Sequence, residues 1–133
     1  MLDESNLTLI CENEKQIIGF TIGRVLMKQP ASTPDNGVWM QAVYNKLLEG
    51  IAPDYTTFCE IYNLWIEPSY RRKAIASKLK QALESYMSEM WVNLIFTRTE
   101  KENTPVIKLN QKLKYTILKQ NILLEHICFL KKL

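Results

Sequence analysis

The chain has 133 residues, of which 47% are hydrophobic and 23% are charged, with a formal net charge of +3. This composition is typical of one folded globular domain and excludes an intrinsically disordered chain, and the charge is too small to indicate nucleic-acid binding. No apolar run reaches the roughly 18 residues of a membrane span, and the acidic start at Met1–Glu4 is unlike a signal peptide. We therefore expect a single cytoplasmic domain over residues 1–133, without nucleic-acid or membrane partners.

The three cysteines, Cys11, Cys59 and Cys128, are far apart in the chain, and each lies in an apolar, strand-like run. An odd number of such residues is not a disulfide framework, and a single histidine leaves too few ligands for a zinc site. We expect reduced core cysteines and no metal.

Two strand-like runs, residues 7–11 and 16–26, flank the polar connection Glu12–Lys15 and predict a β-hairpin. Residues 27–57 follow as an insertion rich in turn residues, with a short helix predicted over Val38–Glu49. A long loop on a rigid sheet often contacts substrate, so the insertion is interpreted either as an acceptor-side cover or as a cover for exposed core.

A strand, a charged turn and a helix are predicted between Phe58 and Tyr86. Residues Cys59–Ile66 alternate in polarity, and Pro68 ends the strand because proline has no N–H for the ladder. The apolar positions of the helix recur on one face, at Ile75, Leu79, Ala82, Leu83, Tyr86 and Met87.

The turn before this helix has the chemistry of an anion site. Three cations, Arg71, Arg72 and Lys73, precede the small residues Ala74 and Ala76. The first turn of a helix carries N–H groups without intrahelical partners and the positive end of the dipole, so a pyrophosphate would fit there. The alternative is an ordinary helix start with a solvated basic turn.

The stretch Leu64–Leu79 (LWIEPSYRRKAIASKL) resembles the acyl-CoA-binding motif of the GNAT family of N-acetyltransferases. The core of that motif is Arg or Gln, two residues, Gly, one residue, then Gly or Ala, and Arg71 and Ala76 match it. Ala74 stands where the family usually has glycine, which lets backbone approach a ligand closely, so its methyl is expected to crowd a pyrophosphate.

The hairpin adds to the resemblance, since its second strand is similar to the family's Gly-Phe-x-x-Gly strand, with Gly19, Phe20 and Gly23 in place. In the family a strand and two helices usually precede this hairpin, whereas about six residues do so here. The resemblance therefore implies a truncated version of the fold or a piece of a longer chain.

The rest of the chain predicts a strand at Trp91–Thr97, a polar turn at Arg98–Asn103 and a helix with Thr104 as its N-cap and Pro105 as its first residue. A second hairpin follows, with Tyr115–Leu118 and Leu123–Leu130 on either side of residues 119–121. The resulting order resembles the GNAT fold, which implies an α+β domain with a mixed, mostly antiparallel central sheet flanked by helices.

The implied function is direct transfer of an acetyl group from acetyl-CoA to an amine, either a small molecule or a peptide. A homodimer is compatible with the sequence. The resemblance assigns cofactor binding to the backbone of the strand end, to the basic turn and to two asparagines: Leu64, Trp65, Ile66, Arg71, Arg72, Lys73, Ala74, Ile75, Ala76, Asn103 and Asn110.

The resemblance favours Glu60 as the general base that deprotonates the amine. Glu60 lies four residues before Leu64, the spacing of the glutamate base in the histone-acetylating branch of the family. Strand alternation predicts that Glu60 shares a face with Tyr62, Leu64 and Ile66. The alternative is a solvated edge glutamate. Tyr62 either aids proton transfer or packs, and the single histidine, His126, is more typical of a structural residue.

The usual acid is missing from the pattern. The family's last helix often reads Asn, two residues, Ala, two residues, Leu-Tyr, and its tyrosine protonates the departing thiolate; Asn110 takes that place here. Asparagine donates a hydrogen bond but does not readily supply a proton. Another tyrosine or a water then serves, or the domain is catalytically silent and binds CoA or a protein partner. An unrelated α+β interaction domain is the third interpretation.

Overall fold

The computed structural model of the chain describes residues 5–27, 57–118 and 126–133. The predicted helix at 38–49 and the turn at 119–121 lie outside these residues. The strands are β1 (Ser5–Asn13), β2 (Gln16–Met27), β3 (Thr57–Ile66), β4 (Leu94–Glu100), β5 (Thr116–Ile117) and β6 (His126–Lys132), and the α-helices are α1 (Ile75–Glu89) and α2 (Thr104–Lys112).

The described strands form one sheet in the order β1-β2-β3-β4-β6-β5. Strands β3 and β4 pair in parallel, and the other neighbours pair antiparallel. The crossover between the two parallel strands contains α1, because parallel neighbours need a long connection. The prediction of a mixed, mostly antiparallel sheet flanked by helices is confirmed, as is the order of the described elements.

The first hairpin is tighter than predicted. Glu14 and Lys15 have φ angles of 50° and 67°, so they form a two-residue turn between β1 and β2. Positive φ at both central residues matches the twist of the flanking strands, which lets pairing continue to Asn13 and Gln16.

A bulge in β3 changes which side chains share a face. Along β2, Gly23 pairs with Ile61 and its neighbour Ile22 pairs with Asn63, so Tyr62 is the extra residue. Paired residues lie on the same face and alternate along β2, which puts Leu64 on the face of Ile61. The prediction that Glu60 shares a face with Leu64 and Ile66 is therefore wrong.

Two predicted boundaries also shift. Strand β4 begins at Leu94 because Trp91, at φ 64°, lies in the turn after α1, and it runs through Arg98 to Glu100, which were predicted as a turn. Helix α2 is capped by Asn103 rather than Thr104: the Asn103 side chain accepts a hydrogen bond from the Val106 amide at 3.4 Å.

The buried face of α1 is rotated relative to the predicted one. Its buried residues are Leu79, Lys80, Leu83, Glu84 and Met87, whereas Ala82 and Tyr86 are exposed. The polar residues are buried because they contact the segment that follows β4: the Tyr115 hydroxyl donates to Glu84 at 3.0 Å. Hydrophobic periodicity alone did not indicate this second contact surface.

The core lies between the sheet and α1, where Cys59, Ile61, Leu83, Met87 and Phe129 pack together. Burial raises the pKa of the Cys59 thiol to about 12. Cys59 and Cys128 are buried free thiols, whereas Cys11 is partly exposed. Neither described helix is long and apolar enough to cross a membrane.

Candidate active site

Strands β3 and β4 separate part of the way along the sheet. They pair over Cys59–Ile61 and Ile95–Thr97, and the Thr97 hydroxyl then donates to the Ile61 carbonyl at 3.2 Å. Beyond this point β3 continues to Ile66, paired with β2 along its other edge. Among the described residues, the edge of β3 that faces β4 therefore has backbone groups with no strand to pair with, as a ligand that adds to a sheet edge requires.

A cavity of about 520 Å³ fills the space between the separated strands. Its lining includes residues from β3, β4, β6, α1 and the start of α2, among them Glu60, Leu64, Lys80, Thr99, Asn103 and His126. The cavity is thus the direct consequence of the strand separation.

A second cavity, of about 600 Å³, lies at the basic turn and the first residues of α1. It shares Leu64, Asn103 and Val106 with the first cavity, so the two adjoin. One extended ligand can therefore contact the helix start and the space between the strands at the same time.

The start of α1 offers unpaired N–H groups. The first hydrogen bond of the helix runs from the Lys78 amide to the Ala74 carbonyl at 3.1 Å, so the amides of Ile75–Ser77 precede the ladder and have no intrahelical acceptor. Such groups, at the positive end of the helix dipole, bind phosphate. They are not used in strand pairing.

Ala74 shows why glycine is usual at this position. Its φ of 62° and ψ of 17° are left-handed, a conformation that costs a residue with a Cβ about 1–2 kcal/mol. Arg72 is also left-handed, at φ 66°. The substitution thus strains the backbone of the turn, an effect separate from the crowding that the sequence predicts.

Contacts of the basic turn hold it against the hairpin and β3. The Arg71 Nε donates to the Ile66 carbonyl at 3.1 Å, and the Lys73 Nζ lies 5.1 Å from the centre of the Tyr70 ring. The Tyr70 hydroxyl accepts a hydrogen bond from Asn13 at 3.0 Å. Arg71 therefore holds the turn to the end of β3, and Tyr70 holds it to the hairpin.

Glu60 is 4% exposed, so the solvated-edge interpretation is wrong. Its Oε1 lies 2.9 Å from Nη2 of Arg24, its partner on β2, and its buried Oε2 has no hydrogen-bond partner in the described part of the chain. The Arg24 guanidinium also lies 5.3 Å from the centre of the Tyr62 ring. A carboxylate that lines the cavity between the strands thus has one oxygen without a partner in the described part of the chain.

The two predicted asparagines differ in position. Asn103 caps α2 and also lines both cavities. Asn110 is fully buried, and its Oδ1 accepts a hydrogen bond from the Lys80 ammonium rather than facing either cavity. Among the strand-end residues, Leu64 lines both cavities, and Trp65 packs on Phe20 with ring centres 5.7 Å apart.

Sequence reasoning missed Lys80 and Arg24. Lys80 is 1% exposed, yet it lines the cavity between the strands. Its spacing from Glu84 is that of a solvated helical ion pair, and the available signal was that both lie beside the apolar positions Leu79 and Leu83. Arg24 could have been found as the cross-strand partner of a strand glutamate.

A sheet that opens beside an uncapped helix start leaves room for an extended ligand with a phosphate group at the helix start. The family model of the Acetyltransferase (GNAT) family matches residues 1–115. The chain belongs to this family, so the prediction made from Leu64–Leu79 is confirmed and the unrelated interaction domain is excluded. No curated protein matches the chain in sequence.

Solved structures share the fold at low identity. The PaiA N-acetyltransferase of Thermoplasma acidophilum in complex with coenzyme A is 14% identical with a TM-score of 0.70, over 96% of this chain and 61% of that one. Arabidopsis thaliana NAA60 in complex with a bisubstrate analogue is 17% identical with a TM-score of 0.67, over 89% and 66%. The ribosomal-protein-S18-alanine N-acetyltransferase of Escherichia coli is 12% identical with a TM-score of 0.66, over 96% and 68%. The chain thus spans about 61% of the length of the first of these structures.

Proposed function

We propose that the chain transfers an acetyl group from acetyl-CoA directly to an amine, either of a small molecule or of a peptide. The observation that carries the proposal is the separation of β3 from β4 beside the uncapped start of α1, with adjoining cavities along the path. Family membership and structural neighbours with CoA or acetyl-CoA bound support it.

The helix start would hold the pyrophosphate of the donor. The amides of Ile75–Ser77 supply donors, the small side chain of Ala76 leaves room for a close approach, and the exposed Arg72 adds positive charge. Main-chain donors survive side-chain changes, which is consistent with an alanine at the usual glycine position.

The free edge of β3 near Leu64–Ile66 would hold the pantetheine arm, with Asn103 at the junction of the two cavities. When bound, acetyl-CoA supplies a thioester whose carbonyl carbon accepts the amine. Backbone N–H groups on an unpaired edge can donate to the oxygen that gains negative charge in the transition state. This positioning makes the attack effectively unimolecular.

Glu60 would take the proton from the attacking amine. It lines the cavity, its Oε2 has no partner in the described part of the chain, and the Arg24 ion pair fixes the orientation of the carboxylate. Tyr62, about half exposed beside Arg24, lines the same cavity and would guide the amine toward Glu60. A positioned carboxylate base typically contributes a factor of about 10²–10⁴ in rate.

The second candidate is a catalytically silent domain that binds CoA or a protein partner. The observation in its favour is that Asn110, at the usual acid position, is an amide buried away from the cavities. CoA release with a panel of amines separates the two candidates. Turnover that falls about 10²-fold or more in Glu60→Gln, with CoA binding unchanged, supports transfer; binding without turnover supports the silent domain.

The cofactor site itself is tested by two matched substitutions on α1. Ala76→Glu places a carboxylate in the second cavity at the helix start, where it stabilises the helix but repels a pyrophosphate. Ala82→Glu puts the same charge on an exposed position of the same helix. CoA should raise the Tm of wild type and Ala82→Glu but not of Ala76→Glu. If CoA raised the Tm of both variants equally, CoA would not bind at the start of α1.

A further inference from the structure

A buried cation lines the cavity in addition to the residues that hold the donor and deprotonate the amine. Lys80 is 1% exposed and lines the space between β3 and β4, in the same cavity as Glu60. Its ammonium donates one hydrogen bond to Asn110 Oδ1 and lies 4.9 Å from the centre of the Tyr115 ring. An ammonium has three N–H donors, so these contacts leave at least one donor without an acceptor among the described residues.

Burying a cation with an unsatisfied donor is costly unless an anion arrives to pair with it. The carboxylate on the same helix, Glu84, does not hydrogen-bond to Lys80: its oxygens bind Lys131 at 2.6 Å and the Tyr115 hydroxyl at 3.0 Å. Lys80 is therefore a cation in the lining of the cavity with spare hydrogen-bonding capacity.

Asn110 fixes the direction of this ammonium. Lysine has donors only, so the amide must turn its oxygen to Lys80, which leaves Nδ2 buried without a partner in the described part of the chain. Asn110, at the usual position of the acid, thus has no proton to give, but it orients Lys80, which has one.

We propose that Lys80, held by Asn110, donates the proton to the departing CoA thiolate. The inference rests on the proposed acetyl transfer and assigns the acid of that reaction to Lys80, where the sequence suggested another tyrosine or a water. The amine nitrogen forms its bond to the acetyl carbon as the carbon–sulfur bond breaks. The amine proton goes to Glu60 and the Lys80 proton goes to sulfur. Glu60 then releases its proton to solvent, and neutral Lys80 regains one from solvent.

The protonation equilibrium of Lys80 suits this role. Burial, opposed by the charge of Glu84, lowers the pKa of Lys80 to about 8, near the value of about 8.5 for an ordinary thiol. Proton transfer is efficient when the donor and the acceptor have similar pKa values and the donor is protonated near neutral pH. Within residues 5–27, 57–118 and 126–133, the other titratable groups around it or in the same cavity are Glu60, Tyr62, Glu84, Arg98, Glu100, Tyr115, His126 and Lys131.

The test uses CoA itself, which needs no acceptor amine. The ultraviolet absorbance of the thiolate reports ionisation of the bound CoA thiol as the pH is raised. An ammonium within a few ångströms favours the thiolate, so the thiol in the wild-type complex should ionise about one pH unit or more below its value in Lys80→Met. Lys78→Met, which removes an exposed lysine of the same helix, should titrate like wild type.

A second variant guards against a folding defect in Lys80→Met. Asn110→Asp keeps the ammonium but pairs it with a carboxylate, so the shift of the thiol should shrink. In turnover, Lys80→Met should lower kcat about 10²-fold or more with KM for acetyl-CoA unchanged, and the loss of kcat above pH 8 should disappear.

Two results overturn the assignment. A bound thiol that titrates alike in wild type and Lys80→Met refutes it, even if acetyl transfer is observed. Absence of any CoA binding refutes the proposed function and this inference with it, and the Tm titration detects that case separately.

Discussion

Nη2 of Arg24 on β2 lies 2.9 Å from Oε1 of Glu60 on β3. This ion pair supplies the countercharge for the buried carboxylate that lines the cavity. The Arg24 side chain is 31% exposed, whereas that of Glu60 is 5% exposed. The cation is thus partly solvated, and the carboxylate depends on it.

Removing Arg24 alone should therefore destabilise the protein. Arg24→Met leaves a buried carboxylate without its partner and should lower the free energy of unfolding by about 1–3 kcal/mol, measured by urea denaturation. The control is Arg24→Met combined with Glu60→Gln, which removes both charges and should recover most of the loss. A double variant no more stable than the single one would contradict this account.

Ala74→Gly should stabilise the protein, because the left-handed backbone of Ala74 carries a steric cost that glycine lacks. The expected gain is about 1 kcal/mol in the free energy of unfolding. Ala82→Gly is the matched control, since it makes the same change at an exposed, regular position of α1 and should cost about 1 kcal/mol. If both variants changed the free energy of unfolding in the same direction, the backbone strain at Ala74 would be refuted.

Lys80 should make stability rise with pH. Its pKa is about 8 in the folded protein against 10.5 for an unperturbed lysine, so between these values the unfolded chain holds a proton that the folded chain has released. The stability of wild type relative to Lys80→Met should therefore increase by at most about 3 kcal/mol over this window.

The comparison with Lys80→Met is needed because other groups act in the opposite direction. The pKa values of Cys59, Cys128 and Tyr115 are raised, chiefly by burial, so stability falls as these groups ionise in the unfolded chain. These contributions are common to both proteins and cancel in the difference. If the free energies of unfolding of the two proteins change in parallel with pH, the pKa of Lys80 is not lowered in the folded protein.

Gly23 should not tolerate a side chain. A Cβ at this position would lie 2.9 Å from the Cys59 Sγ and 3.1 Å from both terminal carbons of Leu83. Gly23→Ala should therefore cost about 1–3 kcal/mol in the free energy of unfolding. Adding Cys59→Ala removes the nearest atom, so the two changes should cost less together than the sum of their separate effects. If the two stability effects add exactly, the new Cβ does not press on the Cys59 side chain.

Local chemistry determined much of this protein. The hairpin, the strand ended by Pro68, the helix from Ile75 and the basic turn between them follow from alternation, periodicity and proline, all of which act over a few neighbouring residues. The family resemblance rested on the same stretch. These features were predictable because each is decided within its own segment.

The tertiary structure decided where the chemistry lies. The bulge at Tyr62 depends on the register with β2, the opening beyond Ile61 depends on how long β4 stays paired, and the burial of Lys80 depends on Asn110, thirty positions away along the chain. Each of these is set by contacts between segments that are distant in sequence, whose packing energy overrides local preference. A lysine that reads as a surface residue of α1 thereby becomes the buried cation of the cavity.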